Sequence, residues 1–173
     1  MISLTLPLNE EKCRQLKVGD FVSLSGTIYT ARDAAHKRLC EMLDRGEPLP
    51  FSLENAVIYY VGPTPTAPGK VFGSAGPTTS MRMDAYAPRL YDLGVKATIG
   101  KGYRTQAVVD AIQRNHGLYM VAIGGAGALL SKSIVKAEMI AFEDLGAEAI
   151  QKLEVKDFPV TVAIDSEGSN IYE

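Results

Sequence analysis

Residues 95–123, VKATIGKGYRTQAVVDAIQRNHGLYMVAI, decide the fold. Val95 to Ile99 suits a strand that stops at Gly100-Lys101-Gly102. Thr105 then opens an amphipathic stretch in which Ala107, Val108, Ala111 and Ile112 share one helical face, ended by Gly117 after His116. Leu118 to Ile123 is an apolar run of the buried-strand type. Strand, helix and strand in so short a span form the building unit of an α/β protein.

The same alternation extends toward the N-terminus. Ile2 to Leu6 and Phe21 to Tyr29 alternate apolar and polar residues and read as strands, the second preceded by a polar segment and a Gly19-Asp20 turn. Ala31 to Arg45 is helical, with Ala35, Leu39 and Met42 on one stripe, Thr30 as its cap, and Gly46 and Pro48 as its stop. Val57 to Val61 is a short strand, closed by the proline-rich loop Gly62 to Gly69. A glycine- and hydroxyl-rich motif, Gly73 to Asp84, leads into a helix that ends near Gly94; Pro88 falls inside it, so the helix either kinks there or restarts with Pro88 in a first turn.

Beyond residue 123, Gly124-Gly125-Ala126-Gly127 reads as a tight turn and Ala128 to Ile134 as a short helix. Strands then dominate: Ala137 to Phe142, Leu153 to Val155 and Phe158 to Ile164, with the Asp165-Ser166-Glu167-Gly168 turn closing the last. The expectation is an α/β fold, a mixed sheet layered with helices, in a single domain spanning residues 1–173, without internal repeats.

Charge and composition exclude several functions. The formal net charge is −2, with 18 basic and 20 acidic residues well mixed, so the clustered basic face of a nucleic-acid or membrane binder is not expected. No segment approaches the roughly 18 apolar residues of a membrane span, and the N-terminus has no basic, then long apolar, leader pattern; the expected location is the cytoplasm. Cys13 and Cys40 are far apart and lack metal-ligand spacing, which argues against a disulfide framework and against a zinc or iron–sulfur site held by this chain.

Four groups of residues carry chemistry. Thr78, Thr79 and Arg82 combine hydroxyls and a guanidinium after glycines, the composition of an anion site; an ordinary helix cap at Thr78 or Thr79 would use the same residues. Arg32, Asp33 and His36 open a helix directly after a strand, with Arg32 and His36 spaced i,i+4; a surface ion pair is the bland alternative. Lys101, between glycines at a strand's C-terminal end, stands where open α/β sheets place their ligands. Gly124 to Gly127 with Asp144 weakly resembles a dinucleotide fingerprint, but Leu130 occupies its third glycine position. His36 and Cys40 are also i,i+4, without a third metal ligand in view. His116 is expected to serve the last turn of its helix electrostatically.

These motifs resemble, over essentially the whole length, the small β subunit, equivalent to the C-terminal domain, of the iron–sulfur-dependent class I fumarase and tartrate dehydratase family. The likeness is carried by Gly26 to His36, Gly76-Pro77-Thr78-Thr79-Ser80-Met81-Arg82-Met83-Asp84, Gly100-Lys101-Gly102 and Glu138 to Gly146. It implies a swivelling β/β/α fold and a larger α subunit that holds a 4Fe–4S cluster through three cysteines, none of it bound by this chain. It implies Thr78 as the catalytic base and Arg32, Arg82 and Lys101 as carboxylate binders; from the residues themselves, Thr79 is expected to join them in binding substrate, with Asp33 and His36 behind. The implied activity is that of a hydro-lyase acting as a cytoplasmic hetero-oligomer, fumarate hydratase interconverting fumarate and (S)-malate, with L-tartrate dehydratase the nearest alternative. Gly102-Tyr103 departs from the glycine–asparagine pair of many relatives. From other classes, a nucleotide-binding module and a non-catalytic assembly domain remain as alternatives.

Overall fold

The computed structural model describes residues 1–61, 71–73, 76–122 and 130–173; the proline-rich loop and the Gly124–Gly127 turn lie outside them. Strands β1 (Ile2–Thr5), β2 (Phe21–Thr30), β3 (Val57–Tyr59), β4 (Ala97–Gly100) and β5 (Leu118–Ala122) run parallel, each paired with the next. Helices α1 (Glu10–Gln15), α2 (Asp33–Asp44), α3 (Ala87–Asp92) and α4 (Gln106–Asn115) fall in the connections between them. Strand β6 (Ile134–Ala141) and the long β7 (Ile150–Ile164) are antiparallel additions. Because β7 pairs with β5 along one edge and with β2 along the other, the path β2–β3–β4–β5–β7 closes on itself.

Period-2 alternation sorts the side chains of this closed sheet into two cores. Val57 and Tyr59, Ala97 and Ile99, Leu118 and Met120, and Phe158, Val160 and Val162 pack together with α1 on one side. Their neighbours Ile58, Tyr60, Tyr119 and Ala163 turn the other way, against Leu39 of α2, Leu90 and Tyr91 of α3, and Val108 and Ile112 of α4. Full burial of such side chains contributes about 1.5–3 kcal/mol each. No helix among the described residues is long and apolar enough to cross a membrane.

Several local expectations change. Thr30 does not cap α2: its hydroxyl accepts from the Gln151 amide at 2.9 Å inside the sheet, and Arg32 takes the cap position. The polar segment after Leu8 is helix α1, capped by Asn9, whose Oδ1 accepts from the Lys12 amide at 2.8 Å. Of the two readings at Pro88 the restart holds: a 3-10 turn, Ser80–Met83, precedes α3, and Pro88 sits in the first turn of α3, where its missing N–H is harmless. The left-handed residue that ends α4 is His116, with φ 53°; Gly117 is required instead by close approach, since a Cβ there would lie 2.8 Å from the Lys96 carbonyl oxygen. Ile134 opens β6 rather than closing a helix, and the two strands expected between Leu153 and Ile164 are one, β7, which absorbs a positive φ at Asp157.

The closest backbone approach lies at the end of β4. A Cβ on Gly100 would fall inside van der Waals contact of the Ser80 hydroxyl and 2.9 Å from Tyr60 Cδ2. Ser80 cannot retreat, because its hydroxyl is buried against Tyr119 at 2.7 Å. Gly100→Ala is expected to lower unfolding stability by about 1–3 kcal/mol, read as a shift of the denaturation midpoint. An unchanged midpoint would show that the segment at Ser80 yields freely.

Candidate functional site

The C-terminal ends of β2, β3 and β4 lie side by side, and Arg32, Asp33, His36, Thr78, Thr79, Arg82 and Lys101 lie in the segments that meet there. The register is carried by the backbone: Ala31 N–H donates to Tyr59 O at 3.1 Å, and Tyr60 N–H to Ile99 O at 2.8 Å. The segment from Pro77 lies across these ends, with Thr78 N–H donating to Tyr60 O at 2.7 Å and Ser80 N–H to Lys101 O at 2.9 Å. Pro77 bridges Val61, and Thr79 bridges Lys101. Three parallel strand ends thus bring residues 31–36, 77–84 and 100–105 into one region, in the loops that a rigid sheet holds at the carboxyl ends of its strands.

Side chains tie the region together. Arg82 forms an ion pair with Asp33 at 2.8 Å, so the guanidinium of the 3-10 turn is held to the start of α2. The partner of Asp33 is therefore Arg82, across the site, and not its neighbour Arg32. Thr78 is half-buried, while Thr79 and Lys101 are exposed. Thr79 stands at the cap position of the 3-10 turn, yet its hydroxyl makes no capping bond.

Beneath this surface, three polar atoms among the described residues are buried without a hydrogen-bond partner: Arg32 Nε, Asp33 Oδ1 and His36 Nε2. A buried polar atom left unpaired costs about 1–3 kcal/mol, so three within five residues mark a local cost to folding at the start of α2. The set offers one donor and two acceptors. His36 is completely buried, not presented beside Arg32 on a surface; its Nδ1 lies 2.8 Å from the Arg32 carbonyl oxygen, an arrangement that makes Nδ1 the donor. Burial lowers the His36 pKa to about 4, with the Arg104 charge acting in the same direction, so the ring is neutral and Nε2 is an acceptor.

A second set of residues, not anticipated from the sequence, underlies the site. Arg104 is wholly buried: its Nε donates to Asp84 Oδ1 at 2.7 Å, one terminal nitrogen to Thr98 Oγ1 at 3.0 Å and the other to the Tyr60 hydroxyl at 3.0 Å. The second Asp84 oxygen accepts the N–H of Thr105, the cap residue of α4, at 2.6 Å, and the Thr105 side chain makes no capping bond. Tyr119 accepts from Ser80 and donates to Gly102 O at 2.8 Å, and Tyr91 donates to Leu118 O at 2.6 Å. Burial raises the pKa of both phenols above the usual value, which keeps them protonated donors. The only advance signal was an arginine and an aspartate near two glycine-rich motifs, which is too common to single out.

The remaining candidates separate from this region. Asp144 is taken up in a two-pronged pair with Arg38 at 2.8 Å, and Gly124 to Gly127 lie outside the described residues. His116 lies 3.3 Å from both Arg14 and Glu10. Among the described residues no three His, Cys, Asp or Glu side chains group as a metal site. Cys13 is buried in one core with its thiol pKa raised to about 11 by burial, and Cys40 sits half-buried on α2. These thiols do not fit an iron–sulfur cluster, which needs accessible thiolates grouped together. An open cavity of about 450 Å³ lies elsewhere, lined by Thr27, Tyr29, Glu54, Lys152 and Glu154 among others, and none of the candidate residues lines it.

The chain matches the family model described as "Fumarase C-terminus" over residues 1–173. It is 41% identical to fumarate hydratase 2 of Leishmania major over 99% of this chain and 31% of that protein, and 40% identical to the aerobic class I fumarate hydratase of Salmonella typhimurium over 99% of this chain and 30% of that one. It therefore spans about a third of the length of these fumarate hydratases. It is also 40% identical to a Methanocaldococcus jannaschii protein provisionally named L(+)-tartrate dehydratase subunit beta, over 96% of this chain and 88% of that one.

The neutral, buried His36 links stability to pH. Above the unfolded pKa of 6.5 both states are neutral; as the pH falls below it, the unfolded chain takes up a proton that the native ring refuses until about pH 4. Stability is thus present above pH 6.5 and is lost progressively down to about pH 4, by roughly 3 kcal/mol in total. NMR titration of the folded chain should show the His36 ring unprotonated at pH 5.5. A midpoint near 6.5 would contradict its burial as a neutral acceptor.

Proposed function

The chain belongs to the fumarase C-terminal family, and on that premise we propose that it is the β subunit of a two-subunit, cytoplasmic iron–sulfur hydro-lyase, a fumarate hydratase interconverting fumarate and (S)-malate. Residues 1–173 act in it as one unit. The observation that carries this reading is the meeting of Arg32, Asp33 and His36 with Thr78, Arg82 and Lys101 at three adjacent strand ends, tied by the Arg82–Asp33 pair and the Thr79–Lys101 bridge. The cluster belongs to a partner α subunit, since the cysteines described here do not fit it.

A four-carbon diacid has a negative carboxylate at each end, and cations on separate elements suit it. Arg82 spends part of its planar fork on Asp33, which orients the remaining N–H donors, while Lys101 contributes a compact point charge from the neighbouring loop. Arg32 adds a third cation, and Thr79 a hydroxyl at the rim. Held at both ends, the substrate has its central carbons fixed for proton removal. In the direction of dehydration, the Thr78 oxygen takes the proton from C3, and in hydration it returns it. An unassisted alkanol is far too weak a base at neutral pH, so the reaction needs the cationic field of Arg82 and Lys101 and a carboxylate that accepts the hydroxyl proton.

Tartrate dehydration is the second reading, supported by the 40% identity to the Methanocaldococcus jannaschii protein. Tartrate carries a further hydroxyl that needs an acceptor. Asp33, partly buried beside Arg82, is the carboxylate of this region that could accept it.

Anaerobic co-production with a cluster-bearing α subunit and iron, followed by parallel assays on malate, fumarate and the tartrate isomers, separates the two. In the complex, Thr78→Ala is expected to reduce kcat by about 10²–10⁴ with binding of the diacid retained. Near-normal turnover would remove Thr78 as the base. Lys101→Ala and Arg82→Ala should instead raise KM, most strongly for Arg82, whose loss also leaves Asp33 unpaired.

A further inference from the structure

The buried Asp84–Arg104 pair is placed between the two chain segments that carry the proposed reactive groups. Asp84 directly follows the 3-10 turn that bears Arg82 and, two residues before that turn, Thr78. Arg104 follows Lys101 by three residues and has no exposed side-chain surface. Each polar group of the guanidinium is used: Nε on Asp84, one terminal nitrogen on Thr98 and the other on Tyr60, with the Tyr119 ring face 4.7 Å below. The unit continues outward, because Ser80 bonds Tyr119, Tyr119 bonds Gly102 O, and Ser80 N–H bonds Lys101 O. A pair of apolar residues of similar volume would stabilise the same interior at least as well, because burying two charges costs desolvation that their attraction barely offsets. What the charged pair supplies and an apolar pair does not is a fixed distance and angle between two segments.

We propose that Asp84 and Arg104 are positioning residues that hold Thr78 and Arg82 in register with Lys101, so that the three act on one diacid. This rests on the function proposed above. Neither residue touches the substrate; Arg104 acts through the Lys101 loop and Asp84 through the 3-10 turn. The consequence is coupling: the benefit of Lys101 exists only while Arg104 keeps it at the right separation from Arg82.

The test is a double-variant cycle in the complex with the cluster-bearing partner. A wild-type complex inert toward fumarate, malate and tartrate would overturn the proposed function, and this inference with it, before any variant is made. In an active complex, Arg104→Lys keeps the charge but loses the planar fork. It is expected to lower kcat/KM, with kcat falling and KM rising together, while the complex remains assembled. Lys101→Ala should then cost about tenfold less in the Arg104→Lys background than in the wild type. If the two losses simply multiply, Arg104 serves the fold alone, and the positioning role is wrong although the assignment of Thr78 and Lys101 stands. Should Arg104→Lys fail to fold, Tyr60→Phe replaces it in the cycle: it removes one acceptor from the fork, keeps the ion pair, and should reduce the effect of Lys101→Ala by about threefold. Full multiplicativity there would equally overturn the proposal.

Discussion

One buried ion pair, Asp84 with Arg104, underlies the arrangement of everything above it. It joins the turn that follows β3 to the loop that follows β4, and its aspartate also closes the start of α4. Around it, Tyr60, Tyr91, Tyr119, Thr98 and Ser80 form chains of hydrogen bonds in which each donor has an acceptor. A network satisfied in this way is rigid, because opening any one bond would expose a charge or a hydroxyl to an apolar interior. The exposed Thr79, Arg82 and Lys101 can therefore hold fixed positions although their own side chains face solvent.

The alternation of the closed sheet explains why this network sits where it does. Strands β3, β4 and β5 direct Tyr59, Ile99 and Met120 into one core, and this leaves Tyr60, Thr98 and Tyr119 on the face toward α3 and α4. Those three polar side chains are the ones that contact Arg104. Packing on one face thus places the hydrogen-bonding groups on the other. Gly100, at the end of β4, lets Ser80 approach near enough to complete the arrangement.

Much of this was legible in the sequence. The strand–helix–strand units announced the parallel strands because local periodicity records which face of each element is buried. Thr78, Arg82 and Lys101 stood out because glycines beside cations and hydroxyls are unusual in a structural loop, and the roles assigned to them came from family resemblance. Other features were not legible, for physical reasons. The closure of the sheet by β7 depends on pairings more than a hundred residues apart, and Asp157 and Pro159 look locally like strand breakers while the partner strand β2 tolerates them. The importance of Arg104 follows only from its burial, and the fit of Asp84 to it spans twenty residues. His36 gave a misleading signal: its spacing from Arg32 suggested a shared surface, whereas the ring turns inward onto the Arg32 carbonyl.

The proposed arrangement has Arg32, Arg82 and Lys101, with Thr78 between them, receiving a single diacid. Its most direct measurement is a crystal structure of the chain bound to its cluster-bearing partner and a saturated four-carbon diacid that cannot react. The expected density shows one carboxylate within hydrogen-bond distance of Lys101 or Arg82, the other on a second cation of the set, and the Thr78 oxygen facing the central carbons, with the Asp84–Arg104 pair unaltered. A diacid bound away from these residues, or Thr78 turned from its carbon chain, would contradict it.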